Sequence, residues 1–303
     1  MRILVKLDSN IGSGIGPILD LSSDRGEVIP KTVTIQQLLN GVEVVVTDYF
    51  ATKIKVKPSG TCNNSIFINV DKQNPYNVPN IIGINSAYVG FGASTGSFYD
   101  EHWIHDFSFT SSSQQISYSD LKTNSTYVNN AILIGDSIRL TPASGSRTGN
   151  VFLNSPIKFK DSIGTLMDWS AYFVFTVGGG NGADGLSFIL QSNTLNSGGI
   201  GGGIGYTGIP NSVAVGYDVW YNYESSADSN ANQLEINVNG SVNSLTKLTV
   251  TPSFRGSTGT NGPRYNWIDY INKTFYIYYS STNQKPSTPT LVYGLDISNY
   301  IFV

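Results

Sequence analysis

Residues 183–190 read ADGLSFIL, an acidic residue at the start of an apolar, strand-forming run. Immediately upstream, AYFVFTV (171–177) is aromatic and β-branched. Downstream, the stretch 194–212, TLNSGGIGGGIGYTGIPNS, is rich in glycine, and VAVGYDVW (213–220) then resumes the strand pattern. A glycine-rich loop between strands superficially resembles a phosphate cradle. Here no GK[ST] and no helix follow it, which argues against a nucleotide site. Working outward from this centre, short aromatic or β-branched runs recur from about residue 81 to the end: YVGFGA, WIHDFSF, ISYSDL, AILIGD, SIRLT, NVFLN, LEINVNG, KLTVT, TFYIYY and TLVYGL. Gly, Asn, Ser and Pro separate them at the spacing of a sandwich, with almost no helical periodicity. The pattern predicts an all-β fold, a large antiparallel β-sandwich.

Residues 1–75 read as a separate, small β-rich domain. VEVVVT (42–47), KIKVK (53–57) and SIFINV (65–70) alternate as strands do, and Thr34 with Gln37 resembles a capping box that predicts a short helix ending at Leu39. Lys53, Lys55 and Lys57 on one face suit an edge strand protected against aggregation better than a binding patch. Residues 76–80 complete DKQNPYNVPN (71–80), whose two prolines and four asparagines mark a linker to the domain at 81–303.

The composition narrows the function. The 303 residues carry 18 Lys+Arg and 21 Asp+Glu, a net charge of −3, and only 13% are charged against about 25% in an ordinary domain. Without a basic stripe, nucleic-acid binding is not expected. No apolar run reaches the ~20 residues of a membrane span, and MRILVKLDSNIGSG has no signal-peptide apolar region. The single cysteine, Cys62, excludes an intrachain disulfide framework and suits a small buried hydrophobe.

Asp218, Trp220 and Asn222 have the i, i+2, i+4 spacing of one strand face, where the strand runs into the loop holding Asp228. Carboxylate, carboxamide and backbone carbonyl oxygens converging from one loop are what Ca²⁺ takes. By spacing alone, an Asx-rich turn that binds nothing is the better reading. His102 and His105, the two histidines, are three apart on a strand, so they face opposite ways and form neither a dyad nor a metal pair. The E-x-D-x-x-E strand of sandwich glycanases is missing, because Gly216 stands two residues before Asp218. No GxSxG nucleophile elbow is evident. The chain is expected not to be an enzyme.

Taken together, ADGLSFIL, the glycine loop and VAVGYDVWYN resemble the L-type (legume-type) lectin family, whose pattern runs ADG-[LI]-[AS]-F, glycine loop, VAVEFDTWYN…DP…H. WIDY (267–270), YIYYSSTNQKPSTPTLVYGLDISNY (276–300) and ISYSDLKTNSTYVNNAILIGDSIRLTP (116–142) extend the likeness over about 81–303. The family's closing segment, VYVGFSAATGxxxxxHxIxSWSF, stands at the front instead, as AYVGFGASTGSFYDEHWIHDFSF (87–109). This implies a circular permutation, with a truncated tandem array or a strand exchanged between protomers as alternatives.

The resemblance implies site residues position by position. Asp218 and Asp228 would bind Ca²⁺ through carboxylates, Asn222 through its amide oxygen and Trp220 through its backbone carbonyl. The family's transition-metal site is expected to be lost, with Gly216 at its glutamate position and Gln233 at its histidine position. Asp184, after a cis peptide with Ala183, would accept hydrogen bonds from two sugar hydroxyls. Asn222 and a backbone N–H near Gly202 or Gly203 would donate, and the Trp220 ring would take the sugar's C–H face. Ser97–Glu101 corresponds to the specificity loop, where Tyr99 and Asp100 would choose the sugar. The simpler alternatives are that Asp184 caps a turn and that Trp220 belongs to the core. The expected partners are glycans and, through residues 1–75, which faintly resemble small domains of phage structural proteins, other virion proteins. The expected setting is a virion surface after synthesis in the host cytoplasm, or otherwise the extracellular space. Display as a homo-oligomer or other multivalent array would compensate for weak single sites. The alternative is a structural decoration protein that uses a lectin fold only for packing.

Overall fold

The computed structural model describes residues 86–161, 164–193, 195, 198–222, 231–255 and 262–301, together with the strands of the first 83 residues. The chain forms two compact units, Met1–Gly83 and Ile84–Val303.

In the first unit, β1 (Arg2–Leu7) lies between β2 (Leu19–Leu21) and β5 (Ile66–Asn69) in an antiparallel sheet. A separate hairpin pairs β3 (Ile29–Leu38) with β4 (Gly41–Ala51), with Leu38 opposite Gly41. The helix expected to end at Leu39 is therefore a strand. Thr32-Val33-Thr34-Ile35 is a β-branched run that resists helix formation, and Asn40-Gly41 is a hairpin dipeptide rather than a helix stop. Lys53, Lys55 and Lys57, Cys62 and the linker 71–80 lie outside the described residues.

The second unit is a sandwich of two antiparallel sheets. Its strands are β6 (Ser86–Ser94), β7 (Glu101–Ser111), β8 (Gln115–Ser117), β9 (Ser125–Asn129), β10 (Ile132–Ile134), β11 (Ser137–Thr141), β12 (Thr148–Leu153) and β13 (Ile157–Lys158). They continue with β14 (Trp169–Gly178), β15 (Gly185–Gln191), β16 (Ser212–Asp218), β17 (Gln233–Val238), β18 (Ser241–Thr249), β19 (Arg264–Ile271), β20 (Thr274–Ser280) and β21 (Leu291–Gly294). One sheet runs β10-β11-β7-β14-β19-β20-β21, with β8 beside β7. The other runs β18-β17-β16-β15-β6-β12-β9, with β13 beside β6. Two helical turns join them, α1 (Tyr118–Thr123) and α2 (Ser298–Ile301). The run ISYSDL, read as a strand, turns into α1 because Ser117 and Asp120 form a reciprocal capping box that satisfies the first helical N–H groups.

Period-2 alternation sends one set of rings between the sheets. Phe91 of β6 meets Phe107 of β7 and Phe173 of β14 edge-on, with centroids 5.6 and 5.1 Å apart, and Tyr217 of β16 meets Phe173 at 5.7 Å. Each such pair adds about 0.5–1.5 kcal/mol beyond area burial. A second apolar cluster covers the other face of β15 and β16, where Ile204, Tyr206 and Ile209 of the glycine loop pack on Ile189 and Ala214. This explains why LSFILQ and VAVGYD read as continuously apolar rather than alternating: both faces of those strands are buried. The same packing holds the glycine loop down beside the end of β16.

Candidate functional site

Four segments meet at Asp184. They are the turn after β6 (95–100), the loop before β15 (179–184), the glycine loop (198–209), and residues 218–222 at the end of β16. Asp184 follows a cis peptide with Ala183. Its N–H donates to the Ser94 carbonyl (3.1 Å) and its own carbonyl accepts from the Val219 N–H (2.9 Å), which ties β6 to the end of β16. The residue is 4% exposed, and Oδ2 has no hydrogen-bond partner. Burial pushes the carboxyl up to about 7, against a smaller opposing effect of the Gly96 N–H.

Glycines bring backbone up to this carboxylate. A Cβ at Gly96 would stand 3.2 Å from Asp184 Oδ2 and 3.4 Å from the Gly201 Cα, so a side chain there would cover the acid. Ser94 Oγ donates to the Gly201 carbonyl (2.7 Å) and accepts from the Gly205 N–H (3.0 Å), and the Gly201 N–H donates to the Thr95 carbonyl (3.1 Å). A Cβ at Gly202 would lie 2.9–3.1 Å from the Asn222 carboxamide, so the loop rests directly on Asn222. Gly203 departs from its expected role: its N–H donates to the Ile200 carbonyl (3.2 Å) inside a 3₁₀ turn, which leaves Gly202 as the loop residue bordering Asn222.

The aromatic side of the site also differs in detail. The Trp220 N–H donates to Asp218 Oδ1 (2.9 Å), while the half-buried Trp220 ring is stacked on Phe98, centroids 4.4 Å apart. Phe98 is 45% exposed, and sequence reasoning passed over it. The available signal was an exposed-type loop, GSFYD, carrying two aromatics beside a glycine. Tyr99 is half-buried and bonded through its backbone to Asn181. Asp100 corrects an expectation. It is fully buried, accepts from the Gly180 N–H (2.9 Å), and pairs with Arg255 (2.7 Å), so it does not face a ligand.

For a metal, Asp218, Trp220 and Asn222 offer a carboxylate, a backbone carbonyl and a carboxamide. This all-oxygen set fits a hard cation such as Ca²⁺. Asp228 lies outside the described residues. Among the described residues, no three His, Cys, Asp or Glu side chains form a metal-holding group. A transition metal does not fit. A Cβ at Gly216 would meet Ile204 at 2.8 Å, so no carboxylate grows from that position, and Gln233 offers an amide where an imidazole would be needed. His102 and His105 do face opposite ways. His102 bonds Thr141 in the interior, and His105 lies between Ser137 and Thr176.

Comparison with known proteins agrees with this arrangement. Over 174 residues the chain is 30% identical to the L-type lectin-domain containing receptor kinase VIII.1 of Arabidopsis thaliana, covering 53% of this chain and 23% of the relative. Over 206 residues it is 29% identical to the probable receptor kinase S.7 of the same plant, covering 57% and 29%. The chain thus spans about a quarter of the length of these curated relatives. Among solved structures, lectin I from Ulex europaeus, in complex with the methyl glycoside of α-L-fucose, is similar at a TM-score of 0.44 and 19% identity, covering 71% of this chain and 85% of that one. The legume lectin domain family matches residues 113–302, which include Asp184, the glycine loop and the oxygen donors of 218–222, and the chain belongs to that family.

Proposed function

We propose that the chain is a non-catalytic, calcium-dependent lectin that binds a sugar over Asp184. The carrying observation is the buried Asp184 carboxylate, whose Oδ2 lacks a partner where the glycine-bearing turns meet the Phe98–Trp220 rings. An ionised carboxylate only accepts hydrogen bonds, and neighbouring sugar hydroxyls are donors that would satisfy it. The aromatic pair offers apolar surface to the sugar's C–H face, and Asn222 a carboxamide beside it. Asp218, Trp220, Asn222 and Asp228 would hold Ca²⁺ through oxygen atoms. When bound, the ion supplies fixed positive charge that orders the donor loop.

The test is a glycan array probed with the full chain in calcium and then in EDTA. Binding abolished by EDTA, and by Asp184→Ala in calcium, is the expected result. Silence across a broad array, with no heat of calcium binding, would sink the reading. It would favour a packing role instead, for which the exposed Ile132, Leu133 and Ile134 of the edge strand β10 offer apolar surface.

We also propose that the lectin strands are circularly permuted. In support, β6 and β7 precede the matched segment 113–302, yet lie inside the two sheets, between β15 and β12 and between β14 and β11. The proposed setting is multivalent display on a virion or another extracellular surface through the separate N-terminal unit. Immunogold labelling of purified virions tests that setting, and labelling confined to non-virion material would overturn it.

A further inference from the structure

Four residues away from the sugar-facing turn, on the side turned from it, a buried ion pair joins the loops that carry the site. Asp100 has no exposed side-chain surface. Its carboxylate accepts Arg255 Nε at 2.7 Å, Arg255 Nη2 at 3.2 Å and the Gly180 N–H at 2.9 Å. Arg255 Nη2 also donates to the Gly180 carbonyl at 2.6 Å, so both polar groups of that peptide segment are held by one pair. The guanidinium lies against Gly182, where a Cβ would come within 3.3–3.4 Å of it and where φ is +105°.

Tyr99 continues the same seam. Its N–H donates to Asn181 Oδ1 (2.7 Å), and its carbonyl accepts the N–H groups of Asn181 (2.8 Å) and Gly182 (3.2 Å). Residues 99–100 thus bind 180–182 continuously. Arg255 itself is anchored from behind: its backbone forms a bridge with Val177, and Arg264 donates to the Ser253 and Arg255 carbonyls. Gly180 lies four residues before Asp184, and Asp100 four residues after Gly96, the glycine that borders the Asp184 carboxylate.

We infer that Asp100 and Arg255 are positioning residues that set the spacing between the 96–99 turn and Asp184, and through it the affinity and selectivity of the sugar site. This rests on the reading of Asp184 as the sugar acceptor. The pair touches no sugar. Its planar fork fixes two loops against each other at two points, which a lysine's single ammonium cannot reproduce.

The test is calorimetric titration of the full chain, in calcium, with methyl glycosides of mannose, glucose, galactose, N-acetylglucosamine and fucose. Wild type is compared with Arg255→Lys, Asp100→Asn and Asp184→Ala. A purely structural loss lowers the fraction of active sites and leaves each Kd and their ratios in place. Repositioning raises the Kd values and changes their ratios. The expected result is a Kd raised about tenfold or more in Arg255→Lys with altered ratios among the glycosides, and a larger change in Asp100→Asn. If Asp100→Asn does not fold, Arg255→Lys decides alone, because it keeps the charge. Wild-type Kd values in Arg255→Lys, with Asp184→Ala inactive, would overturn the positioning role and leave the lectin reading intact. No binding by wild type to any glycoside would overturn both.

Discussion

Phe98 lies nearly flat on Trp220, with ring centroids 4.4 Å apart and planes inclined by 23°. The two rings come from segments more than a hundred residues apart in sequence. One is the turn after β6 and the other the end of β16, and together they form one aromatic surface beside Asp184. Their partnership means that Trp220 presents its surface as half of a pair. Replacing Phe98 by Ala removes an aromatic contact worth about 0.5–1.5 kcal/mol. Phe98→Ala is expected to weaken glycan binding about two- to tenfold while leaving thermal stability almost unchanged. Equal binding by wild type and variant on the same array would show that the sugar does not use this surface.

Asp184→Asn keeps the shape of the side chain and removes its charge. The carboxamide presents one acceptor in place of two, and it no longer needs the desolvation that raises the acid. Binding is expected to fall at least a hundredfold, with an unchanged or slightly higher melting temperature. Calcium removal should also abolish binding, and re-addition should restore it, as followed by Trp220 fluorescence and by array signal. A variant that binds normally would place the acceptor elsewhere.

His102 is fully buried, and burial lowers its ring from 6.5 to about 3. In the unfolded chain it takes up a proton below pH 6.5, whereas in the folded chain it does so only near pH 3. The unfolded state therefore binds more protons in between, and this residue's contribution to stability falls as the pH drops. The slope is about 1.4 kcal/mol per pH unit at most across that window. Asp184, raised from 3.8 to about 7, acts with the opposite sign in much of the same range. The measurement is therefore a difference: urea unfolding at pH 7 and pH 4.5 for wild type and His102→Gln. The variant should lose less stability on acidification, and identical losses would rule out a titrating His102.

Gly205 has φ +66°, and a Cβ there would stand 2.2 Å from the Ala93 nitrogen. Alanine meets both a left-handed backbone and a collision with β6. Gly205→Ala should cost about 1–3 kcal/mol and lift the glycine loop from its seat on Ser94 and Asn150. A melting temperature within a degree of wild type would contradict the close approach.

The sheet strands and the glycine loop were legible because their signals are local. Alternation, β-branching and glycine-rich stretches report on each segment's own backbone, and the two-sided burial of β15 and β16 is written in their continuous apolar runs. The misreadings came where one local signal competed with another. Thr34 and Gln37 imitate a helix cap, yet the β-branched run around them and the Asn40-Gly41 turn favour the hairpin. Ser117 and Asp120 end a strand-like run because the cap outweighs two further aromatic or apolar residues. Asp100 and Phe98 stand two residues apart in one turn. Which of them faces outward depends on Arg255, 155 positions away, and no local pattern carries that.

The sequence by itself determined that this chain is a β-sandwich, that the oxygen donors at 218, 220 and 222 leave one strand together, and that Gly216 and Gln233 cannot serve a transition metal. Periodicity and side-chain chemistry are properties of a residue and its near neighbours. Only the tertiary structure decided which residues surround Asp184, that Phe98 covers Trp220, and that Asp100 is spent on Arg255. Those facts arise from distant loops sharing one end of the sandwich, where burial and charge pairing turn each side chain inward or outward.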